Sequence, residues 1–321
     1  MISRIRRFCS LLILVFAVFL VMFVSSSCRT PSHDHPFSSN PIIARAFERI
    51  FPFDDVDSLR SLGVNQAFDE RENSFGMNFL MLAMWNRATN CVDFLLATSD
   101  VHELSRNGES ALFYCGALRE QAIPVGRRLL ERGLDVNHLD HSGGNAVLAS
   151  LQLQEGANGD YIKWLVENGA RPDIVCQGVP LLSVASSFGT GTILEYLIPF
   201  CLWQVNKADS VGATPIFYVV ASCHIPTKQK VNNICTLVNA GANVNHANIE
   251  GVTPLHLAVS KNELDLVSSL LSQGADPNLH DASGKTAIDM ASANGSEKIK
   301  ELLEEYESIL RPPRKQAVLP E

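Results

Sequence analysis

One phrase near the C-terminal end narrows the possible folds more than any other feature. Residues 248–280 read NIEGVTPLHLAVSKNELDLVSSLLSQGADPNLH, and the next stretch, DASGKTAIDMASANGSEKIKELLEEY, starts the same phrase again. Gly251 and Gly284 are 33 residues apart, as are Thr253 and Thr286. Self-similarity at such a period marks a stacked array of small units rather than one globular core. Working back, the glycine recurs at Gly212, Gly178, Gly143, Gly108 and Gly76, with successive spacings from Gly76 onward of 32, 35, 35, 34, 39 and 33 residues.

The residues of one unit dictate its shape. Thr253 is suited to cap a helix with its hydroxyl. Pro254 fits the first helical turn, where a missing N–H is harmless. Leu255 and Ala258 share a stripe at i, i+3 spacing, and Ala258 is small enough to let a neighbouring helix approach. Leu264, Val267, Leu270 and Leu271 give a second helix its apolar face. Gly274 ends that helix in the left-handed conformation that glycine adopts cheaply. One helix pair cannot cover its own apolar faces; stacking does.

Thr253-Pro254-Leu255-His256-Leu257-Ala258 and Gly274-Ala275-Asp276-Pro277-Asn278 resemble the helix-start phrase and the finger of the ankyrin repeat family. The resemblance covers about seven units over residues 73–305, with worn fingers at Gly133–Asn137, Gly169–Asp173 and Gly241–Asn245. It implies an all-α solenoid of stacked helix-turn-helix units with finger loops. It also implies that His256 is structural, bonding within its own unit. Residues 41–72, which include a worn Leu62-Gly63-Val64-Asn65 finger, are expected to form an N-terminal capping helix pair. The charged helix near Ser296–Glu305 reads as the far cap, and 306–321 as a tail. Cys201 stands where a finger glycine is usual. Extra residues near Glu155–Asp160 and Cys223–Lys230 are expected in loops between helices.

The N-terminus is of another kind. Arg4, Arg6 and Arg7 precede an unbroken apolar run from Leu11 to Val24, 14 residues long, and Ser25, Ser26 and Ser27 lead to Cys28. This is the order of an export signal. A cysteine after small residues also resembles the bacterial lipobox, which implies lipidation at Cys28, although Ser25 stands where leucine is usual. Starting at Phe8 the segment reaches 17 residues, so residues 1–28 read as a signal peptide or a single-pass membrane anchor. Ordinary cleavage near Ser27 is the third reading. All three export the chain and associate it with a membrane through its N-terminus or place it in a bacterial envelope or periplasm. Residues 29–40, rich in Pro and Ser, read as a flexible tether.

Composition sets the partner class. The formal charge is 26 − 34 = −8, and a chain starting at Cys28 carries 23 − 34 = −11, because Arg4, Arg6 and Arg7 precede it and no acid does. Such a balance opposes nucleic acid, whose binding is dominated by cationic contacts to phosphate. The sequence contains no phosphate loop, G-x-S-x-G, H-E-x-x-H, dinucleotide fingerprint or C-x-x-C. His33, Asp34 and His35 lie in the tether; His138, Asp140 and His141 share one finger, where Asp140 holds the usual finger position. Neither set is read as a metal site, and no cofactor is expected. Cys91, Cys115, Cys176, Cys201, Cys223 and Cys235 fall mostly at small apolar positions of the repeat and are expected as thiols.

The resemblance further implies a non-enzymatic, monomeric protein-interaction module that uses finger tips and the exposed side of the first helices, its concave face. Counting from the repeat glycines, the tip positions are −2, −1 and +1 and the helix positions +9 and +10. Phe75, Met77, Trp85, Leu118, Leu153 and Phe188 are apolar at those positions, where a solvated array would be polar. Exposed apolar patches mark interaction sites, so these six residues are expected to bind an unidentified protein partner. The competing expectation is that residues 41–72 cover them. Two rival functions are a structural or protective envelope protein without a dedicated partner, and an enzyme hidden in the degenerate half.

Overall fold

A computed structural model describes residues 50–61, 76–153 and 158–310. The expected signal or anchor, the tether, Cys28, Phe75, the worn finger Leu62–Asn65 and much of the expected capping pair 41–72 lie outside these residues; of the expected tail 306–321, residues 306–310 continue the last helix and 311–321 lie outside. The chain forms two compact units that meet in sequence at Arg171 and Pro172.

In the first unit a 3₁₀ turn, Phe51–Phe53, and a short helix α1, Val56–Ser61, precede three helix pairs. These are α2, Phe79–Trp85, with α3, Thr89–Thr98; α4, Leu112–Cys115, with α5, Ala122–Glu131; and α6, Ala146–Leu151, with α7, Gly159–Glu167. The first helices stack α2 on α4 on α6, and α1 lies on α3. In the second unit the pairs are α8, Leu181–Phe188, with α9, Gly191–Leu197; α10, Pro215–Ala221, with α11, Thr227–Asn239; α12, Pro254–Ser260, with α13, Leu264–Ser272; and α14, Ala287–Asn294, with α15, Glu297–Leu310. There the first helices stack α8 to α14 in order, and the second helices α9 to α15 likewise. Each unit is thus a helical repeat stack, as the sequence phrase requires.

The caps explain where helices start. Thr253 and Thr286 each form a capping box, with His256 and Asp289 at the third helical position. Asn78 and Asn145 accept from the amides of Met81 and Leu148 at 2.9 and 3.0 Å. Two helices lack a capping side chain of their own and borrow one. Pro180 precedes α8, and the amide of Leu182 donates to Oε1 of Gln204, 22 residues on, at 2.9 Å. Ala88 precedes α3, and Asp54 accepts from the amides of Asn90 and Cys91 at 2.9 and 2.8 Å.

The fingers have a common frame. Ser105, Asp140, Asp209, Asn248 and Asp281 each stand three residues before a repeat glycine. Each side-chain oxygen accepts from the amides two and four residues on, as in Asp281 to Ser283 and Lys285, both 2.9 Å. Gly251 is needed twice over: its φ is +71°, and a Cβ there would stand 2.8 Å from the amide nitrogen of Ala282, which donates to the Glu250 carbonyl of the preceding finger. Gly274 has room for a side chain but a φ of +87°, so only conformation selects it. Asn137, Asn206 and Asn245 bind fingers together, each accepting an amide and donating to a carbonyl of the next, as in Asn245 to Asp276 N and Gly274 O.

Departures from expectation have local causes. Val175 offers no acceptor where other fingers have Ser, Asn or Asp. That finger closes instead as a two-residue β-hairpin, β1 Val175–Cys176 against β2 Val179–Pro180, with Gln177 and Gly178 both at positive φ. Cys201 has a φ of −123°, so it does not copy the left-handed finger glycine. 3₁₀ turns at Ile198–Phe200 and Leu202–Gln204 carry the chain round instead. Of the insertion near Cys223–Lys230, Thr227–Lys230 lengthen α11 rather than a loop. On α13 the buried stripe is Leu266, Val267, Leu270 and Leu271; Leu264 is exposed.

Candidate functional surface

The described residues singled out for partner contact lie around the ends of the first helices. Trp85, the last residue of α2, is half-buried. Its ring meets Tyr114 edge-on, with centroids 6.4 Å apart at 74°. Tyr114 is buried and donates to Oε2 of Glu109, which also accepts from Ser105 Oγ at 2.8 Å. Glu109 was a tip position by counting; it is buried instead, and burial raises its pKa against the two hydroxyl bonds that lower it. Trp85 therefore rests on a polar but closed support. In the same unit Leu153 is half-buried, its Cδ1 3.1 Å from where a Cβ on Gly116 would stand.

Met77 and Leu118 do not belong to an exposed surface. Met77 is 8% exposed and Leu118 5%. Met77 precedes the cap residue Asn78, the position where an apolar side chain closes over the first helical turn. Leu118 lies in Gly116–Gln121, where the helix tightens to 3₁₀ winding. Three residues per turn instead of 3.6 rotates the side chain away from the direction that the repeat count assigns. Phe188, in the second unit, is half-buried and stacked on His224 of the insertion, with centroids 4.3 Å apart at 22°.

The other candidate residues are occupied by the fold. His256 Nδ1 accepts from the amide of Thr253 at 3.2 Å, and Nε2 lies 3.2 Å from the Lys285 carbonyl of the next repeat. That pairing assigns the proton to Nε2, and burial holds the imidazole pKa below its usual value. In the His138-x-Asp140-His141 finger, His138 Nε2 is 2.6 Å from the Gly108 carbonyl, and Asp140 Oδ1 accepts from Ser142 and Gly144. Cys91, Cys115, Cys176 and Cys201 are buried; burial pushes Cys91, Cys115 and Cys201 each up to about 12, far from nucleophilic at neutral pH. Cys223 is exposed. Among the described residues no helix is long and apolar enough to cross a membrane.

Sequence counting missed the borrowed caps and the turn arginines Arg87 and Arg119. The arginines carried a signal, since they stand where Asn262 and Gly295 stand in the later repeats.

Comparison with known proteins agrees with this architecture. The family model described as ankyrin repeats (many copies) matches residues 237–291. The putative ankyrin repeat protein YahD of Escherichia coli is 30% identical over 201 residues, covering 59% of this chain and 93% of that protein. The tyrosine-protein kinase Shark of Drosophila melanogaster is 33% identical over 130 residues, 40% of this chain but 13% of the kinase. The human BCL-6 corepressor-like protein 1 is 33% identical over 134 residues, 42% of this chain and 7% of its own length. With one relative matched over nearly its whole length, and with capped helix pairs and glycine fingers recurring through both units, the chain belongs to the ankyrin repeat family.

Proposed function

We propose that this chain is a non-enzymatic, monomeric interaction module, exported and displayed at a membrane by residues 1–28, that docks a protein partner on the first unit. Ankyrin repeats are protein–protein interaction modules in general, and rigid stacked pairs bind with little ordering cost. The observation that carries the reading is Trp85: a large, half-buried aromatic ring set at a helix end on a buried support. Tryptophan in such a setting is a frequent hot spot, worth about 2 kcal/mol or more. Leu153 extends the patch. Phe188 with His224 offers a second aromatic platform in the second unit. The N-terminal run and Cys28 support membrane display through the order of charge, apolar run and small residues alone.

The test is crosslinking of the full chain in its native membrane fraction, with Trp85→Ala as control. The reading expects a discrete crosslinked partner that the variant loses while keeping its melting temperature within a few degrees. A variant that crosslinks the same partner, or one that unfolds, overturns the assignment of Trp85.

A further inference from the structure

In the second unit, the residues that follow α9 carry side chains that the repeat does not call for. The fingers at Gly169, Gly241 and Gly274 continue with Ala170, Ala242 and Ala275, whereas the chain here reads Ile198-Pro199-Phe200-Cys201-Leu202-Trp203-Gln204. Burial in this stretch repeats every three residues. Ile198, Cys201 and Gln204 are buried, and Phe200, Leu202 and Trp203 between them are 48%, 59% and 52% exposed. The 3₁₀ turns at Ile198–Phe200 and Leu202–Gln204 favour that pattern, because three residues per turn bring every third side chain to one face.

The inner face is fixed. Cys201 Sγ donates to the Pro172 carbonyl at 3.2 Å, and Gln204 bonds to the Leu182 amide and the Ile174 carbonyl. The segment cannot roll inward to cover its outer side chains without breaking these bonds. Tyr196 lies against Phe200, with ring centroids 5.6 Å apart at 50°, and Val175, beside the bonded Ile174, is also exposed. No Asp, Glu, Lys, Arg or His occurs from Tyr196 to Asn206, in a chain of net charge −8. An uncharged apolar turn held in water marks a contact rather than a free surface.

Size separates the occupants. Two half-exposed rings and a leucine amount to roughly 300 Å² of apolar surface, against about 800 Å² that each partner buries in a standard protein interface. A second copy docked here therefore falls short of the area of a stable dimer. A bilayer needs no matching surface: it takes up an aromatic and aliphatic turn by insertion, with tryptophan at the interface as a usual anchor. The N-terminal sequence gives a bilayer reason to be near. The run Leu11–Val24 and Cys28 read as an export signal or anchor, and the chain from Cys28 to Ile50 spans at most about 75 Å.

We infer that this turn is a peripheral membrane contact. Phe200, Leu202 and Trp203 enter the headgroup boundary of a lipid bilayer, by apolar burial rather than by charge. The inference rests on the reading of residues 1–28 as the membrane attachment and adds a second contact within the repeats.

The full chain is reconstituted from detergent into phosphatidylcholine vesicles, with or without bromine on the acyl chains, which quenches indole emission on contact. The chain has three tryptophans, Trp85, Trp164 and Trp203; Trp203→Phe keeps the patch apolar and removes its emission. Quenching of the wild type is expected to exceed that of Trp203→Phe about threefold or more, and to hold as salt rises, because the insertion is apolar. Leu202→Asp puts a charge in the patch. It is expected to reduce quenching to the Trp203→Phe level while the melting temperature holds, since Leu202 is exposed. Equal quenching of wild type and Trp203→Phe, quenching that collapses at high salt, or unchanged quenching in Leu202→Asp overturns the proposal. So does a marked fall in the Leu202→Asp melting temperature, which makes the leucine structural. If Trp203 is not quenched but Leu202→Asp loses a crosslinked protein in the native membrane fraction, the patch belongs to a protein and the proposal falls. Flotation with the vesicles tests the N-terminal reading separately. Flotation without Trp203 quenching leaves membrane display standing and removes only this contact; failure to float overturns both.

Discussion

Gln204 offers the sharpest test of how the fold is held. It is fully buried, and its side chain spans two segments: Oε1 accepts from the Leu182 amide at 2.9 Å and Nε2 donates to the Ile174 carbonyl at 3.0 Å. The two bonds are not equivalent. The Ile174 carbonyl also accepts from the amide of Leu181 at 3.0 Å, so it keeps a partner when Gln204 is replaced. Leu182 N–H at the start of α8 has Pro180 as its cap residue, which has no side-chain acceptor to offer. Gln204→Met preserves length and apolar stem and removes both polar groups. The orphaned amide then costs about 1–3 kcal/mol, with about 1 kcal/mol or less from the lost carbonyl bond. The expected total is ~2–3 kcal/mol, large for one residue outside the apolar core. Repeat arrays need not unfold in one step, so the direct assay is native-state hydrogen exchange at the Leu182 amide, with urea unfolding beside it. Exchange at Leu182 should accelerate by about 30-fold or more, at a locus that Gln204→Glu, which keeps an acceptor, leaves better protected. If Gln204→Met changes stability by less than about 0.5 kcal/mol and Leu182 remains protected, the borrowed cap does not hold α8.

Two further expectations follow from the core and from titration. Gly126 faces the stacked rings of Tyr161 and Trp164, and a Cβ there would stand 2.8 Å from Trp164 Cζ3; Gly126→Ala is expected to lose about 1–3 kcal/mol in urea unfolding despite its better helix propensity. His256 is buried and its pKa is lowered by that burial, so the unfolded chain binds the proton more readily; stability is full above the unfolded value near 6.5 and declines as pH falls from there to the folded value, with His224 adding in the same direction. A urea midpoint that stays constant from pH 7.5 to about 5.5 would refute this, and the slope should shrink in His256→Gln.

The repeat was legible because it is written locally. A hydroxyl or amide before an apolar stripe, a proline in the first turn and a glycine after the second helix act within a few residues of one another. Thr253, Thr286 and Gly274 could be assigned their roles from neighbours alone, and the structure places them in those roles. The same logic failed at Cys201 and Val175, where the phrase lacks its usual residue and the backbone takes another route, by 3₁₀ turns in one case and a β-hairpin in the other.

Of the residues that counting singled out for partner contact, burial separates two groups. Trp85, Leu153 and Phe188 are half-buried, whereas Met77 and Leu118 are closed off by a helix start and a tightened turn that the repeat count does not contain. The sequence by itself determined the unit, its period, its caps and its family, since each depends on chemistry within one turn or one finger. Tertiary structure alone decided which residues remain open to solvent, and that Gln204 and Asp54 cap helices 22 and about 35 residues away. Burial and long-range hydrogen bonds depend on what stacks against a residue, and that is written in the neighbouring repeats rather than in its own.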